Sequence, residues 1–119
     1  MKKDYRLYLS DILYAIERVQ KYTKSIKKSQ FEDDEFLQDA VMRRLSIIGE
    51  AANRLSGEFI KKHPEIPWKE IIGTRNIIIH YYEGVKLETI WKIIRKDLTV
   101  LKKFIKNLPG MSEFLKDLK

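Results

Sequence analysis

A chain of 119 residues suffices for one domain around one core and is short for two of ordinary size. With 44% hydrophobic and 34% charged residues, only 5 Gly and 3 Pro, and no Cys, it reads as globular rather than disordered and excludes a disulfide scaffold and a thiolate metal site. The 24 Lys and Arg against 17 Asp and Glu leave a net charge of +7, compatible with a nucleic-acid partner, although lysines spread over every predicted helix equally describe a solvated surface.

Apolar residues at three- and four-residue steps predict a first helix from about Tyr5 to Ile26, its stripe being Tyr5, Leu9, Ile12, Leu13, Ile16 and Val19. A second is predicted from about Glu32 to Leu55 through Leu37, Val41, Leu45, Ile48 and Ala52, with Asp33 and Asp34 near its positive end and Gly57 as its stop. Phe59-Ile60 suggests a short turn, and His63 before Pro64 reads as an exposed loop histidine. Pro67 suits the first turn of a third helix running from Trp68 to about Tyr82 and ending near Gly84. Three β-branched residues, Ile77-Ile78-Ile79, favour a strand, but the chain offers no second strand to pair with it, so helix is expected. The fourth helix, from about Leu87 to Lys106, carries Leu87, Ile90, Trp91, Ile94, Leu98, Leu101 and Ile105. Pro109-Gly110 breaks it, and Ser112 is expected to cap a short tail helix. Residues 1–119 thus read as a single all-α domain, an antiparallel bundle of four main helices plus a short C-terminal helix. Trp68 and Trp91 read as core anchors, and Tyr5, Tyr8, Tyr14 and Tyr22 on the first helix as packing groups more than a stacking platform. No run approaches the ~18 apolar residues of a membrane helix, and the N-terminus lacks a signal-peptide core, so a cytoplasmic protein without membrane contact is expected.

The stretch Gly73-Thr74-Arg75-Asn76-Ile77-Ile78-Ile79-His80-Tyr81-Tyr82 looks most like chemistry, and His80 is one of only 2 His. On a helix, Arg75 and His80 lie about 140° apart around the axis and about 7.5 Å along it, so they are not stacked neighbours. Asn76 and His80 share one face, and Arg75 and Tyr82 another. Arg75 falls within the apolar stripe, where a charge is costly unless paired or solvated. Glu50 on the second helix is the candidate partner; the alternative is a cleft or subunit interface along the stripe. Chemically, Arg offers a planar fork matched to phosphate oxygens, and His moves a proton near neutral pH. Asn76 can orient the imidazole or bond a phosphate. That set suffices for RNA cleavage without a metal or cofactor, because the 2′-hydroxyl is the substrate's own nucleophile. The bland alternative is a core ion pair beside a surface imidazole.

The run Arg75-x4-His80-x-Tyr82 resembles the signature of HepT-like toxins of the HEPN superfamily. The resemblance extends to Asp11-Ile12-Leu13, Ile47-Ile48-Gly49-Glu50-Ala51, Ile66-Pro67-Trp68-x-x-Ile71-x-Gly73-x-Arg75-Asn76 and Trp91-x-x-Ile94-x-x-Asp97-Leu98, covering nearly the whole chain. It implies a helical bundle that forms a homodimer with a composite site at the two-fold axis, and a metal-independent endoribonuclease toxin of a type VII-like toxin–antitoxin pair. Arg75, His80 and Asn76 carry over as catalytic, and Tyr82 as the site at which an MNT-type nucleotidyltransferase antitoxin adds AMP. Two other functions fit the same residues: a non-catalytic nucleotide-binding or partner-docking subunit of a minimal nucleotidyltransferase, and an adaptor using its basic surface.

Overall fold

The computed structural model describes residues 4–79 and 87–118, and the side chains of residues 4–74 and 87–118. Every regular element among the described residues is helical, as the apolar stripes require. Helix α1 spans Tyr5–Thr23. Asp4 caps it: its carboxylate accepts the Arg6 backbone N–H at 2.9 Å and pairs with the Arg6 guanidinium at 2.7 Å. α1 stops short of the expected Ile26, because Ser25 turns into the left-handed region at φ 63°. The turn is held from outside: the Arg95 guanidinium donates to the Thr23 and Ile26 carbonyls at 2.9 and 2.8 Å.

The predicted second helix is divided. Helix α2, Lys28–Asp33, precedes α3, Glu35–Asn53, and Asp34 between them is extended at φ −114°, ψ 91°. The acids expected to complement a helix dipole thus do more than that, since the Asp34 carboxylate accepts the Leu37 N–H at 3.0 Å and starts a new helix. Phe31, fully buried, anchors α2 to the core. Buried Gln38 of α3 donates to the Phe31 and Glu32 carbonyls at 2.9 and 3.0 Å, satisfying the end of α2. Gly57 opens a helix instead of closing one: α4 spans Gly57–Lys62, with the Ser56 hydroxyl accepting the Phe59 N–H at 3.1 Å.

Helix α5, Trp68–Ile79, keeps the three isoleucines helical. Helix α6, Leu87–Lys92, runs through a single π turn, Ile93–Asp97, into α7, Leu98–Asn107. The Leu98 N–H reaches back to the Ile93 carbonyl across that turn. A last helix, α8, spans Met111–Asp117. Its N-cap is Gly110, not Ser112: Gly110 takes φ 85°, which a side chain disfavours, and Ser112 lies inside the helix.

Helix α3 is the spine, packing most extensively on α1 and α5. Leu9, Ile12, Ile16 and Val19 from α1, Val41, Leu45 and Ile48 from α3, and Ile90, Leu98, Leu101 and Ile105 from α6 and α7 are fully buried. Each such aliphatic side chain contributes roughly 1.5–3 kcal/mol of burial. Trp68 is buried as expected, whereas Trp91 is half-buried, with its ring 5.5 Å from Phe31 and the Arg95 guanidinium 4.3 Å above it. No helix among the described residues is long and apolar enough to cross a membrane.

Candidate functional site

Entry into α5 is fixed from several directions. The Trp68 indole N–H donates to the His63 carbonyl at 2.8 Å, and the Trp68 backbone N–H to the Ile66 carbonyl, also at 2.8 Å. Pro67 stands just before the helix, and its carbonyl accepts the Ile71 N–H at 3.1 Å. Around this entry Phe59, His63, Trp68 and Phe104 form an aromatic cluster, with His63 4.8 Å from both Phe59 and Phe104. His63 is therefore half-buried, not the exposed loop residue its position before Pro64 suggests. Its Nδ1 lies 3.5 Å from a Glu65 carboxylate oxygen.

One turn further along, α5 is keyed to α3. Ile71 is buried, and Thr74 is 1% exposed. The Thr74 hydroxyl lies 2.9 Å from the Leu45 carbonyl of α3 and 2.7 Å from the Ile71 carbonyl of its own helix. With one proton, it donates to either acceptor or is shared between them. The link to Leu45 crosses between helices and fixes both the rotation and the axial position of α5. Arg75 is the next residue. Sequence reasoning missed Thr74, although a hydroxyl one turn from Ile71 on an apolar stripe is the signal of a buried polar group needing a partner.

The backbone of Arg75 and Asn76 is helical, continuing to Ile79. Their side chains, and His80 and Tyr82 altogether, lie outside the described residues, so the structure neither gathers nor separates the four. Glu50 is exposed on α3 and lines a groove of about 310 Å³ with Tyr8 and Asp11 of α1, with Arg43 of its own helix and with Arg54 at that helix's C-cap. Its expected pairing with Arg75 involves an Arg side chain outside the described residues. Among the described residues no group of three or more His, Cys, Asp or Glu is placed to hold a metal ion. Asp97, at the end of the π turn, is half-buried. Burial pushes its carboxyl above the ordinary value and Glu70 of α5 adds to this, while Lys92 and Lys96 pull the other way.

The family model of the ribonuclease HepT-like proteins matches residues 12–108, a span running from the middle of α1 to the end of α7 and enclosing the whole Arg75–Tyr82 stretch. The chain belongs to the ribonuclease HepT-like family. Similar proteins extend the match. A probable ribonuclease HepT from Thermococcus cleftensis is 42% identical over 102 residues, covering 86% of this chain and 93% of the relative. A protein of Methanocaldococcus jannaschii named as a proposed RNase is 40% identical over 102 residues, 86% of this chain and 94% of its own. Another from the same organism, whose name joins gamma-glutamylcyclotransferase to a proposed RNase, is 46% identical over 105 residues. This HepT-like chain spans 47% of that longer relative. No solved structure shows a significant match.

Proposed function

We propose that this HepT-like chain is a metal-independent endoribonuclease, the toxin of a type VII-like toxin–antitoxin pair. The observation that carries the reading is the family match across residues 12–108, which brackets an intact Arg75-x4-His80-x-Tyr82. The chemistry follows from the residue types. The RNA 2′-hydroxyl attacks the adjacent phosphorus, a 2′,3′-cyclic phosphate forms, and the 5′-oxygen of the next nucleotide leaves. His80 takes the 2′-hydroxyl proton, and an imidazolium returns a proton to the leaving oxygen. Arg75 stabilises the extra negative charge on the phosphoryl oxygens, and Asn76 orients the imidazole or bonds the phosphate. A five-residue step along a helix turns about 140°, so that spacing alone does not bring an Arg and a His together, and a homodimer with the motif at its two-fold axis supplies the second set of groups. The cytoplasm, which holds the RNA, is the compartment of action.

An MNT-type nucleotidyltransferase antitoxin silences the enzyme by transferring AMP from a nucleoside triphosphate to the Tyr82 phenolic oxygen, releasing pyrophosphate. The adduct adds bulk and negative charge seven residues along the chain from Arg75, the group that would hold the RNA phosphate. Expression of the chain alone is expected to arrest growth, and purified protein to cleave RNA in the presence of a metal chelator. His80→Ala abolishes both while the melting curve stays in place. RNA that survives wild-type protein with and without metal would leave the non-catalytic, partner-docking reading instead.

A further inference from the structure

On the surface that α1 shares with α3, the ring of Tyr14 is 52% exposed and two guanidiniums converge on it. Arg18, four residues on along α1, lies 4.8 Å from the ring centroid, and Arg44 of α3 lies 5.7 Å from it. Two other arginines are occupied by the fold. Arg6 is paired with Asp4, and Arg95 caps two carbonyls at the end of α1. Among the described residues neither Arg18 nor Arg44 has a carboxylate within 4.0 Å or a hydrogen-bond acceptor. The acids nearest in sequence, Asp11 and Glu17, lie one turn to either side of Tyr14, and Lys106 lines the same neighbouring groove.

A ring that holds a guanidinium by its face leaves the N–H edge pointing away, with donors spaced to grip two phosphate oxygens. Two such edges set across one tyrosine form a fork for a nucleic-acid backbone. The α3 register places this fork near the backbone of Arg75. Arg44 adjoins Leu45, whose carbonyl meets the Thr74 hydroxyl, and Thr74 adjoins Arg75. Two residue steps and that one contact keep the Cα atoms of Arg44 and Arg75 within about 15 Å.

We propose that Tyr14, Arg18 and Arg44 form a phosphate-binding fork that holds single-stranded RNA alongside the Arg75–His80 motif. This rests on the ribonuclease reading above, and the test separates the two. The probe is a fluorescein-labelled single strand of about 16 nucleotides with 2′-O-methyl groups, which binds but lacks the attacking hydroxyl. Anisotropy titrations at several salt concentrations give both affinity and the slope of log K against log salt. Loss of two phosphate contacts in the Arg18→Gln/Arg44→Gln pair is expected to weaken binding about tenfold at low salt and to flatten the slope by about 1.4. The Arg18→Lys/Arg44→Lys pair, which keeps both charges, is expected to retain most of the slope. Thermal melting of each variant confirms an intact fold. Wild-type protein that cleaves unmodified RNA, together with a Gln pair that matches its affinity and slope, would overturn the fork and leave the ribonuclease standing. A folded Lys pair whose salt slope is as flat as that of the Gln pair also overturns it, because the slope counts charges and the Lys pair keeps both. Wild-type protein that neither binds the probe nor cleaves RNA sinks both readings.

Discussion

The hydroxyl of Thr74 and the carbonyl of Leu45 join α5 to α3 at 2.9 Å, across 29 residues of sequence and one residue before Arg75. Because Thr74 is buried, the bond is shielded from water, and because both ends sit on regular helices it sets an angle as well as a distance. Thr74→Val keeps the shape and deletes the donor. It is expected to cost about 1 kcal/mol of stability, the usual net value of one such bond. If the bond positions Arg75, RNA cleavage falls further than the stability loss explains, through kcat more than KM, and Thr74→Ser restores it. Equal turnover for Val and wild type would confine Thr74 to packing. Chemical denaturation and steady-state cleavage measure the two effects separately.

Gly73 stands on the same helix, and a methyl group built on it meets nothing within 4 Å. Gly within a helix costs roughly 0.5–1 kcal/mol relative to Ala. Gly73→Ala is therefore expected to raise stability by about that amount, seen as a rise of a few degrees in Tm. The same variant probes the proposed homodimer. A second copy resting against this face would meet the new methyl group, so a more stable chain that has lost dimerisation and cleavage would place the two-fold axis there. A more stable chain with normal mass in sedimentation and normal cleavage would move the axis elsewhere.

Arg95 does the work of a C-cap for a helix 69 to 72 residues away, donating to Thr23 and Ile26 while its guanidinium lies over Trp91. Ser25 between those carbonyls is held at φ 63°, a conformation most L-residues avoid. Arg95→Lys keeps charge but loses the planar fork and the stacking surface, and is expected to destabilise by about 1–2 kcal/mol. Ser25→Gly, which removes the steric objection to positive φ, is expected to be neutral or slightly stabilising. Denaturant midpoints for the pair check both signs, and an unchanged midpoint for Arg95→Lys would show that solvent replaces the cap at no cost.

The four long stripes were legible because burial follows the 3.6-residue period: Leu9, Ile12 and Ile16, or Leu98, Leu101 and Ile105, lie where their spacing puts them. Breaks within a stripe were not. Asp34 reads as one acid among several near a helix start, and only the buried anchor Phe31 and the Gln38 amide make it a boundary. Ser112 looked like a cap because Ser is a good one, but Gly110 can take a φ that Ser cannot easily adopt, and it ends the turn first. His63 reads as exposed from its neighbours, because its burial depends on Phe104, 41 positions along the chain. For the candidate site, residue types and spacing offer Arg75, Asn76, His80 and Tyr82, while the partner of Thr74 emerges only when α5 meets α3, and the pairing of Arg18 with Arg44 only when α1 meets α3.

Asp97 gives the chain a pH dependence of known sign. Burial, with help from Glu70, raises its carboxyl pKa in the folded state above the unfolded value. The folded protein thus holds the Asp97 proton more tightly than the unfolded chain does. The stabilising contribution is complete below the ordinary carboxylate pKa of about 3.9 and is lost as pH rises through the folded-state value. At pH 7 the ionised group is a cost to the fold. Asp97→Asn mimics the protonated acid in size and polarity and is expected to melt higher than wild type at neutral pH. The gap should narrow on acidification and close only below the ordinary carboxylate pKa of about 3.9, where Asp97 is protonated folded and unfolded alike. Parallel melting curves across that range would show that Asp97 ionises in the fold as it does in water, with Lys92 and Lys96 offsetting the burial.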